Sequence, residues 1–152
     1  MRFEVTAQQQ HREFEVVYRV GDHALAPVPR RPGSGFSLAF NEVQLELSEA
    51  GFADHVWGYC PKESWQAADL ELPSASPGEL RFIPGATLSP GAAIRVSKER
   101  LPVQYCARGG WLCIGNTSAA GEFHVLFAPG LIAVGTPDRI DALWIRIARF
   151  DA

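Results

Sequence analysis

The sequence predicts an all-β, mainly antiparallel fold, either a β-sandwich or a partly closed β-barrel. Short apolar runs alternate with polar residues, and Pro-Gly dipeptides recur between these runs. Proline sets φ at the first corner of a turn, and glycine accepts the positive φ of a type II turn. We expect about 9–11 short strands and one short helix in a single β-rich domain over residues 1–152. The dipeptides are Pro32-Gly33, Pro77-Gly78, Pro84-Gly85, Pro90-Gly91 and Pro129-Gly130.

The first half of the chain predicts a strand, a loop and then a hairpin. Residues 14–20 alternate with a period of two, which predicts a strand with one buried face. Residues 24–35 contain three prolines and two glycines and predict an exposed loop. Residues 36–40 predict a short strand. Residues 43–47 predict a strand with Val43, Leu45 and Leu47 turned inward, and residues 55–60 predict its antiparallel partner.

The second half predicts one helical turn followed by further strands. Residues 61–70 are rich in helix-tolerant side chains and predict the one short helix. Residues 137–150 fit either a helix with a Thr-Pro start or a strand, and we favour the strand because this segment holds β-branched and aromatic residues. The remaining strands are predicted at 80–83, 94–96, 103–106, 111–115, 123–127 and 131–134.

Composition and charge limit the compartment and the partners. The net charge of −3 disfavours a dedicated nucleic-acid binder, and no apolar run reaches the length of a membrane helix. The N-terminus lacks an apolar core of signal-peptide length, so we expect a cytoplasmic protein that contacts neither nucleic acid nor membrane. The three cysteines, Cys60, Cys106 and Cys113, are predicted to be free thiols without a metal ion or other cofactor.

Charge is divided unevenly along the chain. Residues 42–71 carry a net charge of −6, and residues 81–108 carry a net charge of +4. These blocks either face each other in the fold or form separate surfaces for partners of opposite charge. Glu42, Gln44 and Glu46 alternate with the apolar residues of their strand, so we expect them on an exposed strand face rather than in an acid–base pair.

A two-residue turn at Gly109-Gly110 gives the first candidate site. With both glycines at the tip, Arg108 lies opposite Trp111 and Cys106 lies opposite Cys113. This register places Arg108 and Trp111 on the less buried face. Arginine and tryptophan dominate binding hot spots, so the pair is a candidate binding surface; covering of a sheet face is the structural alternative.

The second candidate is the aromatic segment around residue 57. Strand alternation puts His55, Trp57 and Tyr59 on one side, and Trp65 follows shortly afterwards. These rings could line a pocket mouth or form the rim of the core. Gly58 between two large rings marks a bulge or a close approach by another backbone segment.

These features predict a non-catalytic interaction or ligand-binding module, an accessory or immunity-type protein whose partner is a protein or a small molecule. Trp57, Tyr59, Trp65, Arg108 and Trp111 are its predicted binding residues. The chain holds no phosphate-binding loop, dinucleotide fingerprint or nucleophile elbow. The alternatives are a small β-barrel lyase, isomerase or hydrolase with a polar pocket near His55 and Tyr59, and a homodimer joined through an edge strand. A carboxylate within hydrogen-bond reach of His55 in a deep pocket would favour the enzyme.

Overall fold

Short β-strands account for most of the chain in a computed structural model that describes residues 2–8, 11–33, 35–85 and 91–152. Within these ranges the helical segments are two 3₁₀ turns, Val20–Asp22 and Lys62–Ser64. The strands are β1 Arg2–Thr6, β2 Glu15–Arg19, β3 Ala24–Val28, β4 Phe36–Phe40, β5 Val43–Leu47, β6 Ala53–Tyr59, β7 Trp65–Ala67, β8 Ser76–Pro77, β9 Glu79–Ile83, β10 Ala93–Arg95, β11 Val103–Cys106, β12 Trp111–Gly115, β13 Phe123–Ala128, β14 Leu131–Thr136 and β15 Arg139–Asp151.

The long strand β15 joins two groups of strands into a sandwich-like fold. Its first part lies between β12 and β14, and its last residues pair in parallel with β2. From β2 the sheet continues through β3, β6, β5 and β4 to β10, and from β12 it continues through β11 to β7. Strands β1 and β9 form a separate ribbon. Most pairings are antiparallel, and the described strands do not close into a barrel.

The core consists of two apolar clusters. The larger one takes side chains from both groups of strands, including the inward-facing Val43, Leu45 and Leu47 of β5, as the sequence predicts. A smaller cluster covers the other face of β12, β14 and β15, where Trp144 is buried with Cys113. Strand β2 is buried on both faces, since the consecutive residues Val16, Val17 and Tyr18 are all buried, so the predicted single buried face is wrong.

The all-β class, the β5–β6 hairpin and the strand at the C-terminal segment are confirmed. The predicted number of strands is too low, and the helix predicted at 61–70 is a 3₁₀ turn followed by β7. The loop predicted at 24–35 contains β3 despite its prolines. Pro27 lies where β3 pairs with β2 but no longer with β6, so its missing N–H leaves no gap in the ladder to β6.

The Pro-Gly turns are confirmed only in part. Pro129-Gly130 joins β13 to β14, and Gly130 has the positive φ (71°) that a type II turn requires. Gly33, Gly78 and Gly85 are not among the described glycines with positive φ. Pro90 lies outside the described residues, so the turn predicted there is not described.

Candidate functional site

The five predicted binding residues lie in three separate places. Trp57 and Tyr59 are exposed on β6, at 43% and 50% exposure. Trp65 opens β7 and is half-buried, while Arg108 and Trp111 belong to the β11–β12 hairpin. The structure therefore does not bring these residues together into one site.

The register predicted for the β11–β12 hairpin is wrong. Four residues, 107–110, form the loop, so Cys106 pairs with Trp111, and Cys113 pairs with Gln104. Because the shift is by two positions, the side chains of β11 and β12 keep their predicted faces, whereas Arg108 lies in the loop and no longer opposes Trp111. That face is covered, however, because Trp111 packs against the smaller apolar cluster.

Arg108 is exposed in the hairpin loop, and Trp111 pairs with Cys106 rather than with Arg108. Its Nη2 donates to Asp69 Oδ1 over 2.7 Å. A similar contact joins Arg100 to Glu42, with 3.0 Å from Nη1 to each carboxylate oxygen. The acidic and basic blocks of the sequence thus face each other at two exposed ion pairs.

Trp65 belongs to an aromatic cluster at the edge of the core. Its ring lies 5.0 Å from the ring of Tyr18 and 5.1 Å from that of Tyr105. The indole N–H donates to Cys60 Sγ over 3.2 Å, and Lys62 Nζ lies 4.7 Å above the Phe150 ring. Trp65 therefore belongs to the rim of the core, and not to a pocket mouth, which was the other interpretation of this aromatic segment.

Trp57 is exposed but fixed in orientation. Its indole N–H donates to Glu46 Oε1 over 3.0 Å, across the β5–β6 pair. This hydrogen bond uses the only polar atom of the side chain, so the exposed part of Trp57 is apolar ring. The ring of His23 lies 6.4 Å from the ring of Tyr59 in an edge contact. We call Trp57, Tyr59 and His23 the Trp57 face.

Gly58 separates the two exposed rings because another backbone segment approaches it closely, as the sequence predicts. Its φ is +125°, and a Cβ on this residue would lie 2.6 Å from the carbonyl oxygen of Glu42. Glycine is the residue that accepts both the positive φ and this contact without a clash. Gly58 therefore allows β6 to carry two large rings and still pair closely with β5.

Glu46 is buried, so the prediction of an exposed acidic face is wrong at this position. Strand alternation placed it on the correct side of β5 but did not reveal that Trp57 covers that side. The backbone N–H of Gly35 also donates to Glu46 Oε2, over 3.3 Å. A buried carboxylate needs such donors because burial penalises its charge.

Asp54 and the buried His55 form a partly buried acid–imidazole pair next to Glu46. The register of β5 and β6 shifts between Glu46 and Leu47, so Asp54 is an extra, bulged residue on β6. A bulge re-aims side chains. The Nδ1 atom of His55 lies 2.7 Å from Asp54 Oδ2. His55 also pairs directly with Glu46 in register.

Two arginines complete the hydrogen bonds of the Asp54 carboxylate. Arg31 contacts both oxygens, with Nε to Oδ2 at 2.8 Å and Nη2 to Oδ1 at 2.7 Å. Arg12 Nε donates to Oδ1 over 3.0 Å. With the imidazole, the Asp54 carboxylate therefore makes four hydrogen bonds to three residues, which is about the number that an ionised carboxylate accommodates.

The charge state of Asp54 determines which imidazole nitrogen carries the proton. Burial by itself raises the pKa of Asp54, but the hydrogen bonds from His55, Arg31 and Arg12 outweigh burial and hold this pKa well below its ordinary value of 3.8. The carboxylate is then ionised at neutral pH and can only accept, so Nδ1 of His55 donates. In the neutral imidazole, Nε2 keeps the lone pair.

Arg12 lies outside the strands and was not predicted from the sequence. Besides Asp54 it contacts Glu79, from Nη2 to Oε2 at 3.0 Å, and the carbonyl oxygen of Phe127, from Nη1 at 2.8 Å. One buried guanidinium therefore connects β6, β9 and β13. No local pattern marks such a residue, because its partners lie 42, 67 and 115 positions away along the chain.

These contacts join Asp54, His55, Arg12 and Arg31 into one group, which we call the Asp54 cluster. The Asp54 carboxylate is saturated, and His55 is 3% exposed, so a substrate atom reaches the imidazole only if its neighbours move. Among the described residues, no group of three or more histidine, cysteine or acidic side chains is placed to hold a metal ion. The cluster fixes the β6 backbone that carries the Trp57 face.

Asp54 should make folding stability sensitive to acid. Because its folded pKa is depressed, its stabilising effect is complete above the unfolded pKa and is lost as the pH falls through the folded pKa. We expect the unfolding free energy, measured by urea titration from about pH 5 down to about pH 3, to fall less steeply in Asp54→Asn than in the wild type. Asp69→Asn, at an exposed ion pair, should keep the wild-type slope. Equal slopes for wild type and Asp54→Asn would contradict this account.

The three cysteines are free and buried. Burial raises the pKa of Cys60 to about 11 and that of Cys113 to about 12, so both are protonated thiols at neutral pH. A protonated thiol is a poor nucleophile. We expect dithiobis(nitrobenzoate) to react slowly with the native protein at neutral pH and to titrate three thiols once guanidinium unfolds it. Rapid modification of the native protein, or a single thiol after unfolding, would contradict the described packing.

Three comparisons with known proteins find no match to this chain: no protein-family profile, no curated protein and no solved structure matches it. Within the described ranges, none of the helical segments is long and apolar enough to cross a membrane.

Proposed function

We propose that the protein is a non-catalytic interaction module that binds a protein partner through the Trp57 face. The observation that carries this proposal is the pair of large exposed rings, Trp57 and Tyr59, on one strand. Binding hot spots are enriched in tryptophan and tyrosine, and a side chain already held in one orientation loses little entropy on binding. The hydrogen bond to Glu46 holds Trp57 in this way.

The buried groups support the same function. The imidazole, the carboxylates and the thiols that catalysis would use are saturated or buried, whereas the exposed feature of β6 is aromatic. The three free thiols support a reducing compartment, so we place the module in the cytoplasm. The accessory or immunity-type role belongs to this proposal, since such proteins act by surface complementarity.

Partner capture from the native cell with matched variants tests the proposal. We expect the wild type to retain a partner that Tyr59→Ala and Trp57→Ala bind at least about tenfold more weakly. Tyr59→Ala is the sharper variant, because it leaves the hydrogen bond between Trp57 and Glu46 in place. Leu72→Ala is the control: Leu72 is a 41% exposed apolar residue that lies outside the Trp57 face. Equal capture by all four proteins, or a loss confined to Leu72→Ala, would overturn the proposal.

The second candidate is an enzyme of the lyase, isomerase or hydrolase type near His55 and Tyr59. The contact of 2.7 Å from His55 Nδ1 to Asp54 favours it, because it leaves Nε2 as a base. The same capture experiment separates the two functions. An interaction module releases its captured partner chemically unaltered, whereas an enzyme releases its target altered from the wild type and unaltered from His55→Gln, which lacks the base.

A further inference from the structure

We infer that the partner bound at the Trp57 face is a basic protein segment that places an arginine or lysine side chain over Trp57 or Tyr59. This inference rests on the proposed function, since it specifies the chemistry of the partner for the same face. It is carried by two observations, the distribution of cations over the aromatic rings of this chain and the charges that flank the face.

The chain covers several of its aromatic rings with its own cations. A guanidinium or ammonium group over a ring is attracted by the negative ring face, and tryptophan is the best acceptor of this kind. The contacts are Arg31 over Phe14 at 5.3 Å, Arg81 over Phe52 at 5.4 Å, and Lys62 over Phe150 at 4.7 Å and over Tyr18 at 5.6 Å from the ring centroid.

Trp57 and Tyr59 differ from these rings in lacking a cation. All 14 lysines and arginines of the sequence lie within the described ranges, and the contacts found there place none of them over either ring. At 43% and 50% exposure, Trp57 and Tyr59 are also the two most exposed large apolar side chains among the described residues. The two rings are thus available to a cation supplied by another molecule.

The charges beside the face select the same kind of partner. Asp22 precedes His23, whose ring contacts Tyr59, and the Glu42 backbone lies against Gly58. Both acidic side chains are exposed. Arg100 contacts both carboxylate oxygens of Glu42, and Arg95 lines the same depression, so the charge of Glu42 is compensated within the chain. Asp22 has no ion pair among the described residues, so its carboxylate attracts a cationic segment and repels an acidic one.

Selection from a phage-displayed library of random linear peptides tests the inference with a defined probe. Wild-type protein is the bait, and phage that also bind Tyr59→Ala are removed. We expect the retained peptides to be enriched in arginine or lysine at one position or more. Retained peptides without such enrichment would overturn the inference and leave the proposed function standing. If no peptide depends on Tyr59, both the inference and the proposed function lose support.

Synthetic versions of a selected peptide then measure the contribution of the charge. Replacing the enriched arginine with citrulline keeps the planar side chain but removes the positive charge. We expect affinity for the wild type to fall about tenfold, as expected for loss of a cation–π contact together with its flanking attraction. The citrulline substitution should reduce the affinity of the peptide for Trp57→Ala and Tyr59→Ala by a much smaller factor. Equal affinity of the arginine and citrulline peptides for the wild type would overturn the inference.

Discussion

Replacing Arg12 with methionine is expected to lower the free energy of unfolding by about 3–5 kcal/mol. The substitution keeps most of the side-chain volume but removes the cation that contacts Glu79 and Asp54 inside the protein. A buried charge that loses its partner is strongly destabilising, because water no longer solvates it. Urea denaturation at neutral pH measures the change.

Two further variants show that this loss comes from the buried charges. Arg100→Ala removes an arginine from the exposed ion pair with Glu42 and should cost about 1 kcal/mol or less. The double variant Arg12→Met with Glu79→Gln should be more stable than Arg12→Met alone, because the carboxylate charge is removed along with its cation. A cost below about 1 kcal/mol for Arg12→Met would show that the cluster does not stabilise the fold.

Replacing Trp144 with alanine is expected to cost about 3–5 kcal/mol of unfolding free energy. Trp144 is 2% exposed in the smaller apolar cluster, so its truncation leaves a cavity beside Cys113 and Ile132. Such a loss would show that the smaller apolar cluster on β12, β14 and β15 stabilises the fold as part of the core. Urea denaturation of the purified variant measures it.

Phe150→Ala is the matched control, because Phe150 is another aromatic residue of β15 and is 41% exposed. It should cost clearly less than Trp144→Ala, since much of its ring already contacts water. Equal losses for the two variants would contradict the burial assigned to the smaller cluster.

The fold class could be predicted from the sequence because the alternation of apolar and polar residues follows from the local geometry of a strand, whose side chains point to opposite faces in turn. Residues 139–151 form a strand as their β-branched and aromatic side chains predict, and residues 43–47 turn the predicted side chains inward. Alternation identifies the two sides of a strand but does not say what covers each side. For this reason the sequence predicts the correct face for Glu46 and Trp111 but not its burial: Glu46 is buried, and Trp111 packs against the smaller apolar cluster.

The hairpin register and the buried cluster required more than local patterns. Gly109-Gly110 has the glycine composition of a two-residue turn, yet both glycines close a four-residue loop with φ of 93° and 75°. Arg12 lies just before β2, and its side chain reaches the bulge in β6, where it contacts Asp54. A contact over 42 positions between two irregular segments leaves no periodic signal in the sequence.

The candidate binding face was partly predictable. The order of residues 55–59 placed Trp57 and Tyr59 on one side of a strand, and both are exposed there. The sequence did not show that Trp65 faces a different cluster, or that His55 beside them is buried. Those differences depend on contacts with distant parts of the chain: the ring of Phe14 lies 6.4 Å from that of His55, and the ring of Trp65 packs against Tyr18 and Tyr105.

Hydroxyl-radical footprinting of the free and partner-bound protein, read by mass spectrometry, tests the central claim most directly. In the free protein, Trp57, Tyr59 and Phe150 should all be oxidised, because all three rings are exposed. We predict that the bound partner protects Trp57 and Tyr59 and leaves the oxidation of Phe150 unchanged. Protection of Phe150 with unchanged oxidation of Trp57 and Tyr59 would contradict the assignment of the Trp57 face as the interface.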